Sequence, residues 1–289
     1  MIYLITVNYY SAELIAKLLA SIHQGQAQVD VDYQLIVVNN SAAEDCSKLA
    51  SDRVLILEAG ENLGFGGGCN LGLNWVFERD RAATAWLINP DTTLSENSLN
   101  HAAQFCKIHP MLSIIGTIIS EPSGKIWFAG GEFVPETGKI IAKTESPHQL
   151  ANYVETSWVT GCSLLVNFQN FNHCPQFDPA YFLYYEDFDF CRRYAQQGHR
   201  IVITEQIQVV HQPSSITNRT PSLTLQHSTF SYLLALERHT SQKVFGYRLS
   251  RILFHALRAS VVQPKRAIAI LKGVLNFWQG KLVRQIRQK

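Results

Sequence analysis

Four short apolar runs early in the chain, Ile2–Val7, Leu35–Val38, Val54–Leu57 and Ala85–Ile88, constrain its fold more than any other feature. Runs of this length without polar alternation are buried strands, and the spacing between them turns helical. Leu14, Ile15, Leu18, Leu19 and Ile22 follow Ser11, a plausible N-cap, and a second helical stretch, Leu71–Glu78, follows a cluster of glycines. The pattern predicts β-α-β-α-β-α-β, a parallel sheet covered by helices. In such sheets ligands sit beyond the carboxyl ends of the strands. That rule singles out Asn8, Asn39-Asn40-Ser41, Glu61–Asn70 and Asn89-Pro90-Asp91, all polar or small.

Further along, Ser113–Asn167 is strand-rich, with turn signals at Pro122-Ser123-Gly124, Gly130-Gly131 and Thr137-Gly138. A helix over Glu186–Gln197 is stopped by Gly198, a strand follows at Arg200–Ile203, and Val209-Val210 leads to His211. From about Leu223 the pattern is helical, with Pro264 expected to separate two helices. The 289 residues, 46% hydrophobic and 17% charged, suffice for one large domain or one domain with an appendage, and exclude a disordered or low-complexity chain. Charge divides the chain: residues 1–237 hold 13 Lys and Arg against 23 acids, whereas 238–289 hold 12 and no acid. A basic tail of this kind implies an anionic partner. Six cysteines without a C-x-x-C pair give neither a zinc site nor a disulfide framework and read as free thiols. The opening residues read as a first strand, not a signal peptide, and no apolar run is long enough to span a bilayer, so a cytoplasmic address is expected.

Several motifs are absent. The chain has no P-loop, no H-E-x-x-H and no G-x-S-x-G, and Gly64–Cys69 lacks the third glycine of a dinucleotide fingerprint. What remains is Asn62–Asn70, whose glycines let backbone approach a flat or charged ligand or simply make a tight turn. Asp91 is either a partial shell for a divalent ion completed by phosphate oxygens or a turn residue. Tyr184–Arg193 puts Glu186, Asp187 and Asp189 at a helix start, as helix-stabilising acids or as a site. Asp189 can pair with Arg192 or Arg193, which leaves Asp187 as the better candidate base. His211 is a functional group or a core histidine.

Taken in order, these segments resemble one family, the family 2 inverting glycosyltransferases of GT-A fold, and within it the rhamnosyltransferase-like group. The resemblance rests on Thr-Val-Asn-Tyr at 6–9, Val-Val-Asn-Asn-Ser at 37–41, Glu61–Asn70, Leu-Ile-Asn-Pro-Asp at 87–91, Trp-Val-Thr-Gly-Cys at 158–162, Tyr184–Asp189 and His211, over roughly residues 1–220. It implies an α/β GT-A fold, a mixed sheet with helices on both faces, as a catalytic domain over 1–222. A nucleotide-binding half would run over 1–120 and an acceptor half over 121–222, followed by a basic amphipathic helical extension over 223–289. It implies that Val7, Asn8, Tyr9, Asn39, Asn62, Gly64, Phe65, Gly67, Asn70, Asn89, Pro90 and Asp91 bind a nucleotide-diphosphate sugar, TDP- or UDP-linked. Asp91 and His211 would hold Mg or Mn, Asp187 would be the general base, and Thr160, Gly161 and Glu186 would face sugar or acceptor. The chain departs from many relatives in two places. Asn39 stands where they carry Asp, and Asn-Pro-Asp replaces Asp-x-Asp.

In the tail, Phe245, Leu249, Ile252, Leu253 and Leu257 alternate with Arg248, Arg251 and Arg258. Leu271, Leu275, Phe277, Trp278 and Leu282 alternate with Lys272, Lys281 and Arg284. These read as amphipathic helices that lie on an anionic membrane, peripheral at the inner face of the plasma membrane and near a glycan or lipid-linked acceptor, or that pack on the catalytic domain. A nucleotidyltransferase and a non-catalytic nucleotide-sugar-binding protein are the competing functions; a nucleic-acid partner explains the tail but not the motifs.

Overall fold

The computed structural model describes residues 1–24, 31–146, 152–212 and 220–287. In β1 (Ile2–Asn8) successive side chains leave on opposite faces, Ile2 and Leu4 into one apolar cluster and Tyr3, Ile5 and Val7 into another. Both faces are buried, which is why the run has no polar alternation. α1 (Ala12–Gln24) covers the first face with Ile15, Leu18 and Ile22. β2 (Tyr33–Asn39) and β3 (Val54–Glu58) extend the sheet in parallel, and α2 (Gly64–Phe77) covers the second face with Cys69, Leu73 and Val76. β4 (Thr84–Ile88) pairs with the other side of β1.

The chain continues through β5 (Thr92–Leu94), α3 (Ser98–Ile108), β6 (Ile114–Ser120) and β7 (Ile126–Phe128), then a separate hairpin of β8 (Gly131–Val134) and β9 (Lys139–Ala142). β10 (Val154–Glu155), β11 (Ser163–Asn167), α4 (Glu186–Gln196) and β12 (Ile201–His211) complete the α/β body, in strand order β10-β12-β6-β11-β4-β1-β2-β3. β1 to β4 pair in parallel, as the strand pattern predicts, and β11 runs antiparallel between β4 and β6, so the whole sheet is mixed, as the resemblance implies.

Three local expectations need correction. Between β2 and β3 there is no α-helix, only a turn of 3₁₀ helix at Ser47–Leu49, because the Glu44 carboxylate turns inward to accept from the Asn8 amide at 2.7 Å and polar bonds hold the loop. α2 begins at Gly64, so the glycine run lies inside a helix despite a propensity cost of about 1 kcal/mol per glycine. Close packing is the reason: a Cβ on Gly68 would stand 2.7 Å from the Val7 side chain. Finally, the two runs expected at Arg200–Ile203 and Val209-Val210 fall in one long strand, β12, which starts at Ile201 and whose pairing with β6 shifts register between Thr204 and Gln208.

The basic segment forms α5 (Pro221–His239), α6 (Gln242–Val262) and α7 (Pro264–Arg287), separated at Pro264 as the sequence predicts. Leu233, Leu234 and Ala235 of α5 and Val274 and Phe277 of α7 form a third apolar cluster with Phe133, Tyr181 and Phe188 of the sheet domain. α6 buries only Ala256 fully. The Arg284 side chain lies outside the described residues. Among those residues no helix is long and apolar enough to cross a membrane.

Candidate active site

A cleft of about 640 Å³ opens where the carboxyl ends of β1, β2 and β4 meet α4 and the first turns of α5. Asp91 follows β4 in a turn closed by bonds from the Thr92 amide and hydroxyl to the Asn89 carbonyl. The neighbouring strand β5 pairs with β12 so that Thr92 lies opposite His211. This register brings His211 Nε2 to 3.2 Å from Asp91 Oδ1, with both side chains only 5% exposed. The other ring nitrogen, Nδ1, is buried with no partner among the described residues, and the Trp127 ring lies edge-on with its centroid 4.6 Å away.

Asp187 enters the same cleft from the first turn of α4. The backbone just before it is left-handed at two tyrosines, Tyr184 (φ 68°) and Tyr185 (φ 63°), an unfavourable conformation for bulky residues that redirects the chain into the helix. Asp187 Oδ2 accepts from the Gly161 amide at 3.0 Å and Oδ1 from the Phe188 amide at 2.8 Å. Gly161 must be glycine here, since a Cβ would stand 2.7 Å from the Phe65 ring. Burial raises the Asp187 carboxyl above the ordinary carboxylate range, and the amides of Gly161 and Phe188 with the Thr160 hydroxyl pull it part of the way back. Glu186 beside it is pushed well above its ordinary value by burial and then by the Asp187 charge, and its Oε2 has no partner.

Of the residues singled out from sequence, Val7, Tyr9, Asn62, Gly64, Phe65, Asn89, Pro90, Asp91, Thr160, Gly161, Glu186, Asp187 and His211 line this cleft. Asn8, Asn39, Gly67 and Asn70 do not. Asn39 is fully occupied: its oxygen accepts from the Asn8 amide and the Ser41 backbone, and its amide donates to the Glu44 carbonyl and, at 2.9 Å, to Glu58. Asn8 likewise accepts from Ser11 and donates to Asn39 and Glu44. Asn70 clamps both backbone groups of Phe177, and Gly67 sits beneath Leu63 in α2. These four build the floor of the site.

The cleft-facing partner is instead Asn40, whose amide donates to the Gly64 carbonyl at 2.8 Å and whose buried oxygen has no partner among the described residues. Trp158, with its indole nitrogen buried and unpartnered, also lines the cleft, as do Phe182, Leu223, His227 and Ser228. Asn40 and Trp158 fall inside recognised segments, whereas the α5 residues carry no local signal. Among the described residues no group of three or more His, Cys, Asp or Glu could hold a metal by itself. Asp91 and His211, a carboxylate and an imidazole 3.2 Å apart, are a donor pair of the type that takes a divalent ion when a bound phosphate supplies the remaining ligands.

No protein-family model matches the chain. The chain is 23% identical over 267 residues to the low-salt glycan biosynthesis hexosyltransferase Agl10 of Haloferax volcanii, covering 88% of this chain and 80% of that one. It is 26% identical over 229 residues to the rhamnosyltransferase WbbL of Escherichia coli K12, covering 73% and 83%. Among solved structures it is similar to GalNAc-T7 with UDP, GalNAc and Mn²⁺ (TM-score 0.59, 10% identity), covering 93% of this chain and 54%, about half, of that one. It is also similar to the mannosyltransferase PcManGT of Pyrobaculum calidifontis in complex with GDP-Man and Mn²⁺ (TM-score 0.56, 11% identity), covering 97% and 87%. The fold is therefore GT-A, the mixed α/β sheet of those glycosyltransferases.

Proposed function

We propose that the chain is an inverting glycosyltransferase that moves a hexose, rhamnose among the candidates, from a TDP- or UDP-linked donor to a hydroxyl of a glycan or lipid-linked acceptor in cell-surface polysaccharide synthesis. The single observation that carries this reading is that Asp91 with His211 and Asp187, far apart in sequence, line one cleft of a GT-A fold. The names of the two sequence relatives, a hexosyltransferase and a rhamnosyltransferase, agree with it.

Transfer requires a weakly nucleophilic hydroxyl to attack the anomeric carbon while a diphosphate leaves. Asp187 takes the proton from the acceptor hydroxyl as its oxygen bonds to that carbon. The bond from the anomeric carbon to the phosphate oxygen breaks on the opposite side, and its electrons leave with the diphosphate. One displacement with no enzyme nucleophile inverts the anomeric centre. The Gly161 and Phe188 amides and the Thr160 hydroxyl fix the orientation of the base, while burial raises its basicity. Asp91 and His211 would hold a divalent cation, which when bound supplies charge neutralisation to the departing diphosphate. Val7, Tyr9, Asn40, Asn62, Gly64, Phe65, Asn89 and Pro90 form the wall for the nucleoside, with glycine and aromatic surfaces that admit a flat base.

The test is Asp187→Asn with a panel of TDP-, UDP- and GDP-sugars, with and without Mn²⁺. Turnover falls by about 10²–10⁴-fold while donor affinity by calorimetry is retained. The wild-type rate falls as pH drops through the Asp187 pKa, and the midpoint lies above that of an ordinary aspartate. Unchanged turnover in the variant removes Asp187 from this role.

A further inference from the structure

A second crevice, of about 330 Å³, lies between α5, α6 and α7 and presents Arg248, Arg251, Arg266 and His255 to one space. Two residues, Tyr185 and Ser228, line both this crevice and the cleft that holds Asp187, so the two cavities share a wall. No carboxylate stands within ion-pair distance of the three arginines among the described residues, and residues 238–289 contain no acid at all. Their hydrogen bonds go to neutral groups: Arg248 to the Thr137 carbonyl at 2.6 Å, Arg251 to the Tyr247 hydroxyl at 3.1 Å, Arg266 to the Gln263 side chain at 3.4 Å. Three guanidinium groups gathered without a counter-charge repel one another, and a phosphate relieves that repulsion while accepting paired N–H bonds from each fork.

We propose that this crevice binds the phosphate or diphosphate of an anionic acceptor and so holds its sugar hydroxyl toward Asp187 across the shared wall. The proposal rests on the glycosyl-transfer reading for the word acceptor, but not for the anion site itself. Exposed Phe254, Leu257 and Val261 on the same helix, α6, favour a phosphate carried on a lipid over a free one.

The experiment titrates the full-length protein in EDTA, which removes cation-dependent phosphate binding at Asp91, with farnesyl diphosphate, inorganic diphosphate and the neutral alcohol farnesol. The comparison is Arg251→Gln/Arg266→Gln, at two exposed positions whose replacement leaves the apolar cluster intact. Farnesyl diphosphate is expected to bind the wild type, to bind the double variant about tenfold or more weakly, and to outcompete farnesol. UDP binding with Mn²⁺ is expected to be the same in both proteins. Inorganic diphosphate binding as tightly as farnesyl diphosphate, with the same loss in the variant, supports the anion site and assigns it a free phosphate ligand. Absence of binding by both diphosphates, or binding undiminished in the variant, overturns the proposal. Failure of every nucleotide sugar to bind with Mn²⁺ sinks the proposed function instead and leaves the crevice standing.

Discussion

Glu186 and Asp187 are adjacent in sequence and differ in what surrounds each carboxylate. Asp187 has two backbone amides and a hydroxyl aimed at it, whereas Glu186 has a buried oxygen with no partner and a neighbouring negative charge. The donors around the first favour its ionised form, and the surroundings of the second disfavour it. Because its pKa is raised in the folded protein, Glu186 contributes stability that is complete below the unfolded carboxylate value and is lost as pH rises through the folded one. Glu186→Gln is therefore expected to raise Tm by roughly 2–4 °C at neutral pH, about 1 kcal/mol, with the gain vanishing at acid pH where both proteins are uncharged at this position. A pH series of thermal melts reads this directly, and a gain that grows on acidification contradicts the assignment. At the same scale, Asn39 illustrates how a motif residue misleads: its type was legible, but its amide is consumed by Asn8, Glu44 and Glu58, two of them brought in by neighbouring strands.

At the scale of elements, one buried charge ties α4 to α5 beside the apolar cluster that Phe188 joins. Asp189, fully buried, accepts from Arg193 at 2.6 Å, His239 at 2.9 Å, the Tyr181 hydroxyl at 3.2 Å and Arg238 at 3.4 Å. Burial would raise its pKa, yet the bonds from His239 and Arg193 and the charge of Arg238 hold it below the usual value. Of the two arginines available at helical spacing, Arg193 makes the pair, while Arg192 lies over the Phe133 ring. Asp189→Asn takes the carboxylate from Arg193 and leaves Arg238 with Asp178 at 2.8 Å, and is expected to cost about 3 kcal/mol by urea unfolding. A loss under about 1 kcal/mol would mean the network is not an anchor. The helix and strand types of these elements were legible from spacing. The helix start at Gly64 was not, since glycine propensity argues against it and the close approach of Val7, Ile5, Phe177 and Phe182 to these glycines explains it.

Over the whole molecule, the last two helices combine packing with exposure. Phe277 and Val274 are core residues, so that face of α7 packs on the sheet domain. On the outside, Phe254, Leu257 and Val261 of α6 and Ile268, Leu275 and Leu282 of α7 are exposed beside Arg258, Lys265 and Lys272. An apolar face with flanking cations suits an anionic lipid interface, at about 1 kcal/mol per Lys or Arg near the surface. Deleting the tail would breach the core, so the cleaner variant is Leu257→Asp/Leu275→Asp. It should reduce sedimentation with phosphatidylglycerol vesicles by at least about tenfold without altering Tm, and wild-type binding should weaken with salt. Equal sedimentation of the two proteins would rule out this face as the membrane contact.

By itself the sequence determined the class of the sheet domain, the strands at its centre and the places where polar groups end them, because burial period and chain punctuation are local properties written residue by residue. It also carried the ordered motifs that mark Asp91, Asp187 and His211. What the tertiary structure decided is nonlocal: the place of antiparallel β11 between β4 and β6, the pairing of Thr92 with His211 that closes the Asp91 site, the internal bonding of Asn8 and Asn39, and the wall from α5. Those depend on which distant segments meet and in what register, and register is fixed by packing across the whole core, which no window of the chain contains.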